Sequence, residues 1–185
     1  MPVQKTDEDE LVSVATDLFR RRGYRGTTMA EVGRACGLLK GSLYNYFTGK
    51  EVLAVAAMSR VSDYFQDHIF SLASIPDLTP EQKLSRLSKA TLDYFTGHEG
   101  GCLLANLAIE AMNTEPEFRP VIQNYFHLWV AAYACIYESA GDHPDRAAKR
   151  GQDAVARIQG ALLLRNVFGS EEPLLSTLSD LSSLS

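Results

Sequence analysis

The sequence predicts an all-α fold on three observations: apolar residues recur at helical spacing, capping signals precede the apolar runs, and no segment alternates like a half-buried strand. Leu11, Val14, Ala15, Leu18 and Phe19 fall at i, i+3, i+4, i+7 and i+8, one helical face over residues 7–22, and Gly23 can take the left-handed conformation that ends it. Thr27 and Thr28 can cap a second short helix, Met29 to Cys36, which Gly37 stops; a third follows over residues 39–46. Gly49 and Lys50 open a long helix to Leu72, broken by the turn-rich stretch Ser74 to Thr79 with its Pro76. Thr79-Pro80-Glu81-Gln82 reads as a capping box with proline at N1, starting a helix to Thr96. After the glycine-rich loop Gly97 to Gly101, Cys102 to Asn113 reads as helix. Thr114 to Glu117 repeats the capping pattern before another helix to Ala140. Asp142 and Pro144 begin a helix carrying Val155, Ile158 and Leu162, and Leu174, Leu178 and Leu181 mark a terminal amphipathic one. The expectation is about nine helices and no strand.

A chain of 185 residues can bury a core without disulfides, and 45% apolar with 22% charged residues is the composition of an ordinary globular protein. Cys36, Cys102 and Cys135 lie far apart with no Cys-x-x-Cys pair, which predicts neither a disulfide framework nor a zinc site; no metal or cofactor is expected. The acidic start lacks the apolar core of a secretory signal, and no run is long and apolar enough for a membrane span. A cytoplasmic protein with no membrane partner is the expectation.

Taken whole, the net charge of -5 argues against a polyanionic partner, but the charge is unevenly placed. Residues 20–50 carry Arg20, Arg21, Arg22, Arg25, Arg34, Lys40 and Lys50 against Glu31 alone, whereas residues 51–185 carry more acids than bases. Because exposed charges are largely screened beyond about 8 Å at physiological salt, a cationic head on an acidic body approaches polyphosphate with one end only.

That head contains two short helices around the Gly37 turn. Gly33, four residues earlier, permits a close crossing, with Leu38 and Leu43 filling the space between the helices. Leu43 and Phe47 point inward at i and i+4, so the outward face of the third helix presents Lys40, Gly41, Tyr44 and Asn45. A major groove about 12 Å wide admits such a helix, whose N-terminal residues lie nearest the base edges. Lys40 and Tyr44 are best placed for bases. The Thr28 and Ser42 hydroxyls, the Asn45 amide, the Tyr46 phenol and Lys50 can hold phosphate oxygens.

The run Gly37-Leu-Leu-Lys-Gly-Ser-Leu-Tyr-Asn-Tyr-Phe-Thr-Gly-Lys-Glu51, with Ala15, Leu18, Phe19, Gly23 and Tyr24 in order before it, closely resembles the TetR family of regulators. Gly101-Cys-Leu-Leu-Ala-Asn106 followed by Pro116-Glu-Phe-Arg119 looks like one large subgroup of that family. Two positions depart from the pattern. Leu39 stands where a serine or threonine is usual, removing a side-chain N-cap worth about 1 kcal/mol, and Gly33 replaces the commoner alanine. The resemblance implies a helix-turn-helix DNA-binding domain over residues 1–50 and a helical-bundle domain for effector binding and dimerisation over 51–185.

A helix-turn-helix monomer touches few base pairs, so operator specificity calls for a homodimer on a pseudo-palindromic site. The resemblance places its interface on the last two long helices, 144–168 and 173–184; the alternative is that their apolar stripes only complete an intramolecular core. The middle of the chain is rich in large amphipathic side chains, which line ligand pockets and also fill ordinary cores. Tyr64, Tyr94, Cys102, Asn106, Phe126, Trp129 and Tyr133 are the candidate contacts for a small-molecule effector, Trp129 and Asn106 through the resemblance. Cys102, beside two glycines at an expected helix N-terminus, is either a redox- or electrophile-sensing thiol, with Arg165 a conceivable partner, or a core residue; Cys36 and Cys135 read as core.

The reading is a ligand-responsive transcriptional regulator, most simply a repressor, and not an enzyme. A helical-bundle enzyme is the rival from another class. None of His68, His98, His127 and His143 follows a glutamate by three residues, no P-loop or dinucleotide glycine pattern is present, and a Cys102/His98 pair is its only support. A second rival is a module whose basic head binds an acidic protein partner.

Overall fold

The structure is a computed structural model and describes residues 8–38 and 41–184. Among these residues there is no strand, and eight α-helices with two 3-10 turns stand where nine helices are expected. The helices are α1 (Glu8–Arg22), α2 (Met29–Ala35), α3 (Lys50–His68), α4 (Pro80–Thr96), α5 (Leu103–Ala111), α6 (Phe118–Ser139), α7 (Pro144–Phe168) and α8 (Glu172–Asp180). No described helix is long and apolar enough to cross a membrane.

The missing helix is the third. The described part of residues 39–46 forms a 3-10 turn over Ser42–Asn45, entered through Gly41 at φ 88 with no side-chain cap. A glycine held in the left-handed region cannot be an interior residue of a right-handed helix, so the turn starts after it rather than at residue 39. Smaller departures have local causes. Expected to reach Leu72, α3 stops at His68, and Phe70–Ser74 tightens into the second 3-10 turn. The Thr114 hydroxyl, expected to cap the following helix, donates back to the Ala111 carbonyl at the end of α5. By contrast, Thr79 and Gln82 make both halves of the predicted capping box, with Pro80 opening α4.

The chain divides into two packing units, Met1–Ser62 with Leu103–Ile122, and Asp63–Cys102 with Gln123–Ser185. The boundary between these packing units runs inside α3, ahead of α5 and inside α6. In the first unit α1 packs on α2 and on α5, and Leu11, Ala15, Phe19, Val32, Leu43, Leu53, Leu104, Leu107 and Phe118 are buried. Gly33 is less constrained than its place at the crossing implies, since an added Cβ would meet the Leu43 Cβ at 3.8 Å, an ordinary contact. Gly37, at φ 69, is the glycine the turn requires.

In the second unit α8 packs on α7 and α4. Leu174, Leu178 and Leu181 are buried with Ala154, Ile158 and Leu162 of α7, and the pair Arg157–Asp180 at 2.7 Å joins the same two helices. Gly151 of α7 lies so close to α6 that a Cβ there would come 2.6 Å from the Val130 carbonyl oxygen. An aromatic core is centred on Phe65, whose ring lies 4.6 Å from Tyr94, 5.2 Å from Tyr125, and 5.5 Å from both Phe70 and Trp129.

Candidate nucleic-acid interface

The surface of the head follows from two packing requirements. Leu43 and Phe47 are buried as expected, which turns their neighbours outward: Gly41, Tyr44, Asn45 and Tyr46 are exposed, Tyr44 by 56%, and Ser42 is half-buried. Lys40 lies outside the described residues. The Leu38 N–H donates to the Gly33 carbonyl at 2.8 Å and so closes the end of α2. Residues of α2 (Met29, Ala30, Gly33, Arg34) and of the turn (Leu38, Gly41, Leu43, Tyr44) line one cleft.

Two of the expected phosphate ligands are already engaged within the protein. Thr28 is the N-cap of α2. Its hydroxyl accepts from the Glu31 N–H at 3.3 Å and donates to the Glu31 carboxylate at 2.8 Å, while that carboxylate accepts from the Thr28 N–H at 2.9 Å. These bonds to Thr28, with Arg22 and Arg34 nearby, hold the Glu31 carboxyl below the usual carboxylate range. Arg22 also pairs with Glu31 at 3.3 Å, tying the end of α1 to α2. Lys50 donates to the Tyr24 carbonyl at 3.0 Å, and its ammonium lies 4.1 Å from the centre of the Tyr24 ring. One ammonium carries three donors, so Lys50 retains others.

Tyr24 is the pivot of this part of the first unit. Its ring packs edge-on to Phe118 at 5.1 Å and tilted to Phe19 at 6.0 Å; burial first, and then the Glu115 carboxylate, push its phenol up to about 12. Glu110 of α5 accepts hydrogen bonds from the backbone N–H groups of Tyr24 and Arg25 at 2.7 and 2.6 Å. Sequence reasoning passed over Glu110, because its partners are 86 and 85 residues away and it carries no local motif.

The candidate effector contacts are brought together in part. Trp129 and Tyr133, four residues apart on α6, are fully buried; Phe126 stacks on Trp129 at 6.4 Å, and Tyr94 is buried beside Phe65. Tyr64 is 43% exposed and stacks on His68 at 4.6 Å. Trp129 Nε1 and Thr91 Oγ1 are buried with no hydrogen-bond partner among the described residues. Burial raises the Tyr133 phenol, against an opposing contribution from the Ser88 hydroxyl. Asn106, half-buried on α5, falls in the first packing unit.

Cys102 directly precedes α5, is 4% exposed, and points its thiol 3.9 Å from the Tyr125 hydroxyl. Arg165 serves other partners: it donates to the Phe95 carbonyl at 2.7 Å and the His98 carbonyl at 3.4 Å, and pairs with Glu171 at 2.9 Å. A cation at the C-terminus of α4 satisfies its last carbonyls, a structural employment. His98 is likewise used, with Nδ1 2.7 Å from the Tyr94 carbonyl. The expectation that Cys36 and Cys135 are core residues is corrected: Cys36 is half-buried, and Cys135 is exposed because its neighbours Ala134 and Ile136 take the inward positions on α6.

Among the described residues the chain is all-helical, and its head sets a short polar turn beside a capped helix, the arrangement of a helix-turn-helix. Residues 11–57 match the family of bacterial regulatory proteins of the tetR type, and residues 82–179 match the C-terminal domain of LmrA/YxaF-like transcriptional regulators. The chain belongs to the TetR family of transcriptional regulators, and as such is not an enzyme. It is 28% identical over 169 residues to the HTH-type transcriptional repressor DhaR of Mycobacterium sp. strain GP1, covering 89% of this chain and 84% of that one. To the HTH-type regulator LmrA of Bacillus subtilis it is 28% identical over 171 residues, 90% of each. The crystal structure of a TetR regulator from Legionella pneumophila has the same fold, with a TM-score of 0.86 at 19% identity over 98% of this chain and 97% of that one.

Proposed function

We propose that this regulator binds a pseudo-palindromic operator as a homodimer, represses transcription in the cytoplasm, and is released when a small molecule binds its helical body. The observation that carries the reading is the exposed set Gly41, Tyr44, Asn45 and Tyr46, presented by a buried Leu43 and Phe47 at the end of the chain where the cations are concentrated. Tyr44, and Lys40 from the sequence pattern, read base edges. Thr28, Ser42, Asn45, Tyr46 and Lys50 hold the backbone, Thr28 and Lys50 with the bonding capacity their internal partners leave over.

The homodimer reading rests on an apolar surface. Leu163, Leu164, Val167 and Phe168 on the last turns of α7 are exposed, three of them by more than 60%, and Leu175 of α8 adds to them. These are two adjacent i, i+4 pairs, a contiguous stripe of the kind that monomers seldom leave to water. The effector reading rests on the aromatic group around Trp129, whose Nε1 is buried with no hydrogen-bond partner among the described residues. An effector that binds one conformer of the body better than another shifts the population away from the DNA-competent form.

Footprinting on the DNA flanking the protein's own gene tests the reading. A protected site with two related half-sites, on successive turns of one face of the duplex, is expected; an evenly distributed or undetectable footprint would sink it.

A further inference from the structure

The turn joining α1 to α2 is held from both sides of its backbone. Gly23 closes α1, its N–H donating to the Phe19 carbonyl at 2.9 Å and its φ of 74 carrying the chain away from the helix axis. The next two N–H groups, those of Tyr24 and Arg25, point the same way and both meet the Glu110 carboxylate, one oxygen each, at 2.7 and 2.6 Å. Position 23 is shaped to this arrangement, since a Cβ there would stand 2.5 Å from Glu110 Oε2. On the opposite side the Tyr24 carbonyl accepts from Lys50 at 3.0 Å, and from the Thr27 N–H at 3.3 Å.

We infer that Glu110 is a positioning residue of the DNA-reading head: by gripping the Tyr24 and Arg25 amides it fixes the turn from which α2 and the reading turn depart. The inference rests on the operator-binding reading. Hydrogen bonds to an ionised acceptor are about twice as strong as neutral ones, and a bidentate grip sets direction as well as distance. Six residues, 23–28, join the end of α1 to the start of α2, so a displacement of Glu110 has little slack in which to dissipate before α2 begins. Glu110 stands one helical turn beyond Asn106 on α5, so a rotation or slide of that helix moves the grip with it.

The test compares wild type with Glu110→Gln, which keeps shape and one acceptor but presents an amide NH2 to a backbone N–H. Affinity is measured for a duplex that wild type selects from a random-sequence pool, and for an unselected duplex. Hydrogen exchange of individual amides is recorded on both proteins. In wild type the Tyr24 and Arg25 amides exchange slowly. In the variant they exchange at least about tenfold faster while the interior amides of α1 stay protected, and affinity for the selected duplex falls about tenfold while that for the unselected one stays within about twofold. Equal losses on both duplexes would mean that Glu110 only supports the fold, and fast exchange at Tyr24 and Arg25 in wild type would mean there is no grip; either overturns the inference. Should wild type select no duplex, the operator reading falls, and the exchange data still decide whether Glu110 holds the turn.

Discussion

The Lys50 ammonium reaches across 26 residues of sequence to the Tyr24 carbonyl, and so the first residue of α3 and the turn after α1 are parts of one structure. The same side chain is our proposed phosphate ligand. The phosphate role predicts a loss on every duplex, and the bond to the Tyr24 turn adds a further loss on the selected one.

Lys50→Met therefore weakens binding to every duplex, the unselected one included, and lowers the magnitude of the salt slope by roughly one. Tyr44→Ala instead alters preference at one or two operator positions and leaves the slope unchanged. Fluorescence anisotropy over a salt series, on the selected duplex and on single-base variants of it, separates the two. Indistinguishable behaviour of the variants would refute the division into phosphate and base contacts.

Thr28→Ala removes the N-cap of α2 and destabilises the head by about 1 kcal/mol, seen as a lower melting temperature. The pH dependence follows from the Glu31 side of the box. The Thr28 hydrogen bonds lower the folded pKa of Glu31 below its ordinary 4.5, so their contribution is complete above that value and is lost as pH falls through the lower folded one. NMR titration of the Glu31 carboxyl should give a depressed value in wild type that moves back up in Thr28→Ala. An unmoved value would show that the box does not control it.

Two glycines make opposite predictions. At Gly33 a Cβ meets only the Leu43 side chain at 3.8 Å, so Gly33→Ala stabilises α2 by up to about 1 kcal/mol through helix propensity. At Gly151 it would press 2.6 Å from the Val130 carbonyl oxygen and 3.2 Å from the Ala134 nitrogen. Backbone cannot swing aside as a side chain does, so Gly151→Ala destabilises by about 1–3 kcal/mol despite the same gain in propensity. Calorimetric melting of the two variants should shift in opposite directions.

Phe168→Glu places a charge in the exposed stripe of α7 and should yield a monomer by sedimentation velocity with helicity unchanged. Affinity for a two-half-site duplex falls steeply, because one head alone makes half the contacts. A variant that stays dimeric would move the interface elsewhere.

Much of the reading head is legible locally. Leu43 and Phe47 at i and i+4 have to be buried together, which exposes Tyr44 and Asn45 whether the backbone between them is α or 3-10. The helix type was not legible, because Gly41 fits a helix N-terminus and a left-handed turn equally well, and only the fold selects the second. The capping role of Thr28 is legible, but a hydroxyl at the start of a helix serves a phosphate or a cap with the same geometry. Cys135 was misplaced because alternating apolar residues on α6 leave its side undetermined until the register of the helix is set.

From its own order of residues the chain dictates most of its helices, the caps at Thr28 and Thr79 and the segregation of positive charge into one end, since these depend on neighbours within about four positions. Three-dimensional packing alone decided that Glu110 would clasp the Tyr24 turn, that Arg165 would serve the end of α4, and that α7 would leave Leu163 and Phe168 uncovered. A carboxylate or a guanidinium bonds whatever donor or acceptor the fold carries to it, and nothing in the residues beside it names that partner.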